Sequence, residues 1–295
     1  MSWVLFSILS AVLLAIATII DKYVLDKWVK KPIVPIIVLS SIGLIAGIVT
    51  FLIKGFQFLP IKFLILLFIA GVFGVMAVLF YFKALKIEEA SKIAPLFYVS
   101  PLFIAILAAI FLGEIFTPMK YAGIFLIVIG AFLISFKNIK KFHFGKGALF
   151  IIIGSFLFSI NMIITKYTLN FYDYWTIFGY QKFIGFIVAI PLIIIGFKYL
   201  ISTIKTNGGK ALAFMSLSEI ITVISTFLVT MASAIGFVTL VGVISEVTPF
   251  FVFIFTLLLS LFLPRILKEE FGKKSIIIKV ISLVLMFAGV ILVAT

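Results

Sequence analysis

The chain has 295 residues, 65% of them hydrophobic and 12% charged, with a mean hydropathy of +1.41. Soluble domains carry about 25% charged and about 45–50% apolar residues, so this composition excludes a water-soluble globular fold. The net charge of +14 would suggest a nucleic-acid partner in a soluble chain, but the 24 basic residues sit mostly at the ends of apolar stretches. There they set orientation and meet anionic headgroups, so the expected partners are a lipid bilayer and a small-molecule substrate, with no nucleic acid.

Apolar runs between charged or turn-rich breaks predict ten spans, at 3–20, 33–53, 63–85, 91–112, 119–136, 147–165, 174–197, 211–232, 236–263 and 276–294. The first run contains Ala15-Ile16-Ala17, which mimics a leader cleavage site. No Lys or Arg precedes Lys22, however, so it is read as a permanent span. It ends in Ile19-Ile20-Asp21-Lys22-Tyr23-Val24-Leu25-Asp26. The fourth run carries Ser91, Ala94, Tyr98, Pro101 and Ala105 at helical spacing, and the fifth carries Gly130. The basic loop 137–146 holds His143, the lone histidine. With no cysteine and no second histidine, a disulfide, a thiolate or histidine metal site and a cofactor are all unexpected.

The sixth run brings Asn161 and ends in Ile163-Ile164-Thr165-Lys166-Tyr167-Thr168-Leu169-Asn170, repeating the end of the first at an offset of 144. In the seventh, Lys182 lies about eight residues inside the span. In the eighth, Glu219, Thr222, Thr226, Thr230 and Ser233 follow one another at steps of three and four, a polar stripe on one helix face. The ninth carries Thr239, Gly242, Glu246, Pro249 and Phe253, and matches the fourth at an offset of 148, with Glu246 in the place of Tyr98. In the tenth, Gly289 answers to Gly130.

Three ordered matches that include Lys-Tyr and Pro are hard to obtain from chance similarity of apolar text. They divide the chain into a first five-helix repeat at 1–136, a basic linker at 137–146 and a second repeat at 147–295, with extra length around Pro264–Lys274. An odd number of spans per repeat makes the second copy enter the membrane from the opposite side. The expected fold is therefore an all-α integral membrane protein of ten transmembrane helices in two inverted five-helix repeats, an arrangement that places a substrate site at the midplane between the halves.

The run Tyr81-Phe82-Lys83-Ala84-Leu85-Lys86, followed by Ala90-Ser91, Pro101, Gly113-Glu114, Gly123 and Gly130, resembles the EamA domain of the drug/metabolite transporter superfamily. The likeness is closest over about 80–136 and weaker over 232–294, where Ala232 and Pro249 persist and Glu269-Glu270 stands for Gly-Glu. With the Lys-Tyr repeat it covers essentially the whole chain as two copies. The resemblance implies a ten-helix transporter with a central cavity, often an exporter of amino acids or small metabolites, and so a multi-pass cell-membrane protein; the high Lys, Ile and Phe usage points to a prokaryotic inner membrane. It implies no enzyme activity and no particular substrate.

A charge at the bilayer centre costs about 2.5–3.5 kcal/mol on insertion scales, so intramembrane charges are candidate functional groups. Three qualify: Lys182, Glu219 and Glu246. The Glu219 stripe should face the bundle interior, because lipid cannot satisfy its carboxylate and hydroxyls; Thr222 and Thr226 are candidates with it, and the alternative is helix packing through small polar residues. Lys182 either meets a substrate carboxylate or phosphate, pairs with Glu219, or snorkels to the interface. Glu219 and Glu246 either bind an amine or carry a proton. Tyr98, Asn161 and Tyr81 complete the substrate-binding set, with Ser10 and Ser159 as further wall residues. Pro101 and Pro249 are expected to kink their helices, freeing carbonyls one turn earlier. Lys22 and Lys166, each at the C-terminal end of its span, are expected to meet the last helix carbonyls there, the alternative being a gate or a substrate contact.

These features favour a secondary transporter of amino acids or related zwitterions, working by alternating access in the efflux direction. Proton coupling and a monomer or homodimer fit this reading. The alternative is an exchanger of anionic metabolites such as nucleotide sugars or phosphorylated compounds, then a lipid carrier or a polytopic membrane enzyme. Of the basic residues, 19 fall in odd-numbered loops and 4 in even-numbered ones, which by the positive-inside rule puts both termini outside. The family resemblance implies cytoplasmic termini instead.

Overall fold

A computed structural model describes residues 2–29, 31, 33–87, 96, 99–135, 145–207, 209–262 and 273–294. These form helices α1 (Ser2–Lys27), α2 (Ile33–Lys54), α3 (Ile61–Ile87), α4 (Ser100–Leu112), α5 (Pro118–Ser135), α6 (Lys146–Leu169), α7 (Tyr174–Asn207), α8 (Gly209–Ile235), α9 (Val238–Ser245), α10 (Thr248–Phe262) and α11 (Lys273–Ala294). There is no strand among the described residues. Seven helical stretches are long and apolar enough to cross a membrane, with α9 and α10 together making one of them, and α4, α5 and α11 supply shorter apolar segments. In hydrocarbon every backbone N–H and C=O must be satisfied within the chain, which is why such apolar text becomes helix throughout.

Chain chemistry sets the helix ends. The Asp173 carboxylate accepts from Trp175 N (2.9 Å) and Thr176 N (3.2 Å) and so starts α7. Gly113, at φ 68°, takes the left-handed conformation that closes α4, and the next amide, Glu114 N–H, bonds back to Ala108 O at 3.2 Å. α7 continues to Asn207, ten residues beyond its predicted end. Its 34 residues make about 51 Å of helix, against a hydrocarbon core of about 30 Å. The charge at Lys198 does not end the helix.

The ninth span departs most from expectation. It is two helices, α9 and α10, parted at Glu246-Val247, where Val247 N bonds to Ile244 O (3.1 Å) and Phe250 N to Val247 O (2.9 Å). Pro249 lies in the first turn of α10, where its missing N–H leaves no helical bond unmade. Pro101 holds the same place in α4. The prolines therefore begin helices where a kink within a continuous helix was expected. Tyr98, with Ser91 and Ala94 of its stripe, lies outside the described residues, as do 137–144 of the linker, Glu269-Glu270 and the Lys22 side chain.

The closest helix pairs are α2 with α7, α5 with α11, α3 with α6, and α1 with α8. α4 packs on α6, while α9 and α10 pack on α1. Each of these contacts joins a helix before residue 136 to one after 145. α5 and α11 approach backbone to backbone: a Cβ built on Gly289 would lie 2.6 Å from Gly123 O, and one on Gly123 2.9 Å from Gly289 O. Small residues at such crossings bring membrane helices into full contact. Gly289→Val is expected to destabilise the protein by about 1–3 kcal/mol through overpacking, read as a lowered unfolding temperature in detergent. Gly185→Ala, inside α7 at a site with open space around it, should not lower that temperature and should raise it slightly.

Candidate functional site

The polar groups of the interior are held mainly by α1, α4, α6, α7 and α8. Along the α1–α8 seam, Ser10 Oγ and Ser225 Oγ share a hydrogen bond at 2.8 Å, and Ser225 Oγ also reaches Ser10 O at 3.0 Å. About two to three turns further along α1, Ser218 Oγ lies within bonding distance of Asp21 Oδ1 and, at 3.1 Å, of Ala17 O. Ser10 is thus a buried seam residue. The neighbour of Ser218 is Glu219, only 5% exposed.

Glu219 lies within electrostatic reach of both Asp21 and Lys182. It accepts no hydrogen bond and forms no direct ion pair among the described residues. Lys182 of α7 is in the same condition: its ammonium stands 5.3 Å from the Phe178 ring centroid and feels the Glu219 charge, with no direct anionic partner among the described residues. Its stem is seated against α2, where a Cβ on Gly47 would meet Lys182 Cβ at 3.3 Å and one on Gly43 would meet Lys182 Cδ at 3.7 Å. An ammonium on α7 and a carboxylate on α8 therefore lie within electrostatic reach of one another, with no salt bridge between them among the described residues. Asp21 joins them, and the sequence reading passed over it. It falls one residue past the predicted end of the first span, although its place in the repeated Ile-Ile-Asp-Lys-Tyr string was a signal. Tyr81 of α3, half-buried, lies within electrostatic reach of Asp21.

The hydroxyls of the Glu219 stripe turn back onto their own helix. Thr222 Oγ1 donates to Ser218 O (3.0 Å), Thr226 Oγ1 to Thr222 O (2.6 Å) and Thr230 Oγ1 to Thr226 O (2.9 Å). Their oxygens keep only acceptor capacity for a solute. At the end of the stripe Ser233 is buried and its Oγ has no partner among the described residues.

A second group gathers at the break in the ninth span. Glu246, half-buried at the C-terminal end of α9, accepts a hydrogen bond from Ser100 Oγ of α4 at 3.0 Å. The Ser100 carbonyl in turn accepts from Ser159 Oγ of α6 at 3.1 Å. Asn161 fastens α6 to α3, with its Nδ2 donating to Ala70 O at 2.7 Å. Gln181 of α7 bonds Thr165 Oγ1. Asn161 and Ser159 are thus engaged in holding helices together.

Lys166 meets helix-terminal carbonyls, as expected, but those of α8 and not of its own helix: its Nζ donates to Ser233 O (2.7 Å) and Gly236 O (2.8 Å). Glu114 receives Val238 N (2.8 Å), Thr239 N (3.0 Å) and Thr239 Oγ1 (2.8 Å). Among the described residues no cluster of His, Asp and Glu could hold a metal ion.

The EamA-like transporter family profile matches residues 1–136. An uncharacterized transporter of a Sinorhizobium species is 40% identical over 55 residues, which are 19% of this chain and 39% of that protein. An uncharacterized protein of Methanocaldococcus jannaschii is 30% identical over 136 residues, 46% of this chain and 97% of that protein. A protein of known crystal structure superposes with a TM-score of 0.75 over 99% of this chain and 96% of its own, at 19% identity, and so shares the fold. The chain belongs to the EamA-like transporter family, within the drug/metabolite transporter superfamily.

Proposed function

We propose that this protein is a secondary transporter of small zwitterionic metabolites, amino acids or close relatives, that exports them by alternating access between two inverted five-helix halves. The observation that carries this reading is the pair Lys182 and Glu219, opposite charges within electrostatic reach and not bonded to each other. Two such groups held apart inside a membrane carry a solvation cost that a solute bearing both charges offsets, its carboxylate on Lys182 and its ammonium on Glu219. A doubly anionic solute would want a second free cation, and the Lys166 ammonium is already bonded to carbonyls.

The packing supports two related halves. Exchanging α1–α3 with α6–α8, α4 with α9 and α10, and α5 with α11 maps the principal helix pairs onto themselves. In this reading 1–136 and 147–295 are the repeats, the cell membrane is the site of action, and Glu219 and Glu246 are the candidate proton carriers. Reconstitution into liposomes with an imposed pH gradient tests it, using labelled amino acids, nucleosides and sugar phosphates. Movement of an amino acid against its gradient is the expected result; movement of sugar phosphates alone would replace it with the exchanger of anions. If nothing moves in folded protein, the transport reading fails.

A further inference from the structure

The α8–α9 hairpin is held from two directions. α9 is a rod of eight residues buried from Val238 to Ile244, with Val238, Thr239, Val241, Val243 and Ile244 at 0% exposure. Its first two amides and the Thr239 hydroxyl all bond to the two oxygens of one carboxylate, Glu114, itself only 4% exposed. A negative charge at a helix start satisfies amides that lack helical partners and complements the positive end of the dipole. The end of α8 receives the opposite treatment, from the ammonium of Lys166. Glu114 and Lys166 also act on one another electrostatically, and both line a pocket of about 350 Å³ with Asn170, Gly236 and Trp3.

The two clamping residues differ in origin. Lys166 belongs to the same half as the hairpin it caps. Glu114 comes from the α4–α5 turn of the other half, where the left-handed Gly113 aims it. Its bonds therefore cross between the two halves, as the principal helix pairs also do, but through a single carboxylate that can let go, where those pairs meet along packed helix faces. The hairpin also carries the candidate groups, with Glu219 on α8 and Glu246 at the far end of α9.

We propose that Glu114 is a positioning residue that latches the first half to the α8–α9 hairpin, holding the cavity shut on that side and fixing α9 while Lys166 keeps the hairpin in shape. This rests on the alternating-access reading above. For the cavity to open on the hairpin side, the three hydrogen bonds to Glu114 part or the turn carrying it moves with α9; either way their strength sets the population of the state closed there. Glu114→Gln keeps the size of the side chain but sets an amide NH2 against one of the donors, so at least one charge-assisted bond is lost.

The chain has no cysteine, so single reporters have no background. Thr230→Cys lies buried five residues before the end of α8, and Ala211→Cys is buried at the opposite end of the same helix. Each is reacted with a membrane-impermeant maleimide in proteoliposomes, with and without Glu114→Gln. Glu114→Gln is expected to raise the Thr230→Cys rate about tenfold, the population shift equivalent to one lost charge-assisted hydrogen bond, without raising the Ala211→Cys rate. Glu114→Asp should restore part of the slow rate. Equal acceleration of both reporters, as in a loosened fold, overturns the latch, and so does an unchanged Thr230→Cys rate. Labelling requires no transported solute, so a failed transport assay on the unmodified protein would sink the transport reading separately.

Discussion

Replacing Lys182 by methionine is expected to weaken binding of an amino acid about a hundredfold, within the range for truncating one member of a buried charged contact. The substitution preserves what the stem does. Methionine is unbranched and fills the same groove beside Gly43 and Gly47 of α2, so the α2–α7 seam should survive and only the ammonium is lost. The carboxylate of a bound zwitterion would then have no cation, whereas Glu219 could still hold its ammonium. A simple primary amine should therefore bind Lys182→Met at least as well as it binds the unmodified protein, because Glu219 is no longer opposed by a neighbouring positive charge. Calorimetry in detergent with an amino acid and its decarboxylated amine reads both numbers. Equal losses for the two ligands would assign Lys182 to the fold, and an unchanged amino-acid affinity would return it to the role of a lysine that merely reaches toward the interface.

Most of the fold was legible because bilayer chemistry is unforgiving. Apolar runs bounded by lysines correspond to helices within a few residues at α2, α3, α5 and α6, since hydrocarbon admits little else. Agreement fails where water takes over: Lys198 and Lys205 looked like the end of the seventh span, yet hydrated charge does not stop a helix, and α7 runs on to Asn207. It also fails at Glu246-Val247, since a proline marks where a helix can begin as readily as where one bends. Within the site, Lys182, Glu219 and Glu246 were readable as charges with no business in hydrocarbon. Asp21 was missed because one residue decided whether it counted as loop. The Glu114 clamp was invisible for a different reason. Gly113-Glu114 reads as a helix end, and only the folded chain brings it to Val238, 124 residues on. The asymmetry between Asn161, bonded to Ala70, and the unpaired Lys182 likewise depends on which helix lies alongside, and a single sequence does not carry that information.

Glu219→Gln should separate solute recognition from energy coupling. The amide is nearly the shape of the carboxylate, so α8 should pack as before, with Ser218 still bonded to Asp21 and Ala17. What changes is charge: Gln cannot take up or release a proton, and it offers a substrate ammonium only a neutral acceptor. If Glu219 alternates between proton and solute, the variant should lose accumulation driven by a pH gradient and should still exchange internal for external solute, since exchange needs no proton movement. Affinity for the zwitterion should fall by about tenfold, less than for Lys182→Met, because Asp21 leaves one carboxylate in the neighbourhood and the amide oxygen still accepts a hydrogen bond. Counterflow and pH-driven uptake in the same proteoliposomes measure the two properties side by side. Loss of both would mean that Glu219 serves binding alone. Retention of both would shift the proton to Glu246, whose partner Ser100 already ties it to α4, and Glu246→Gln would then be the variant that stops accumulation. Adding Asp21→Asn to Glu219→Gln closes the remaining route: if accumulation survives the double substitution at these two neighbouring carboxylates, the coupling proton does not travel through the α1–α8 side of the bundle.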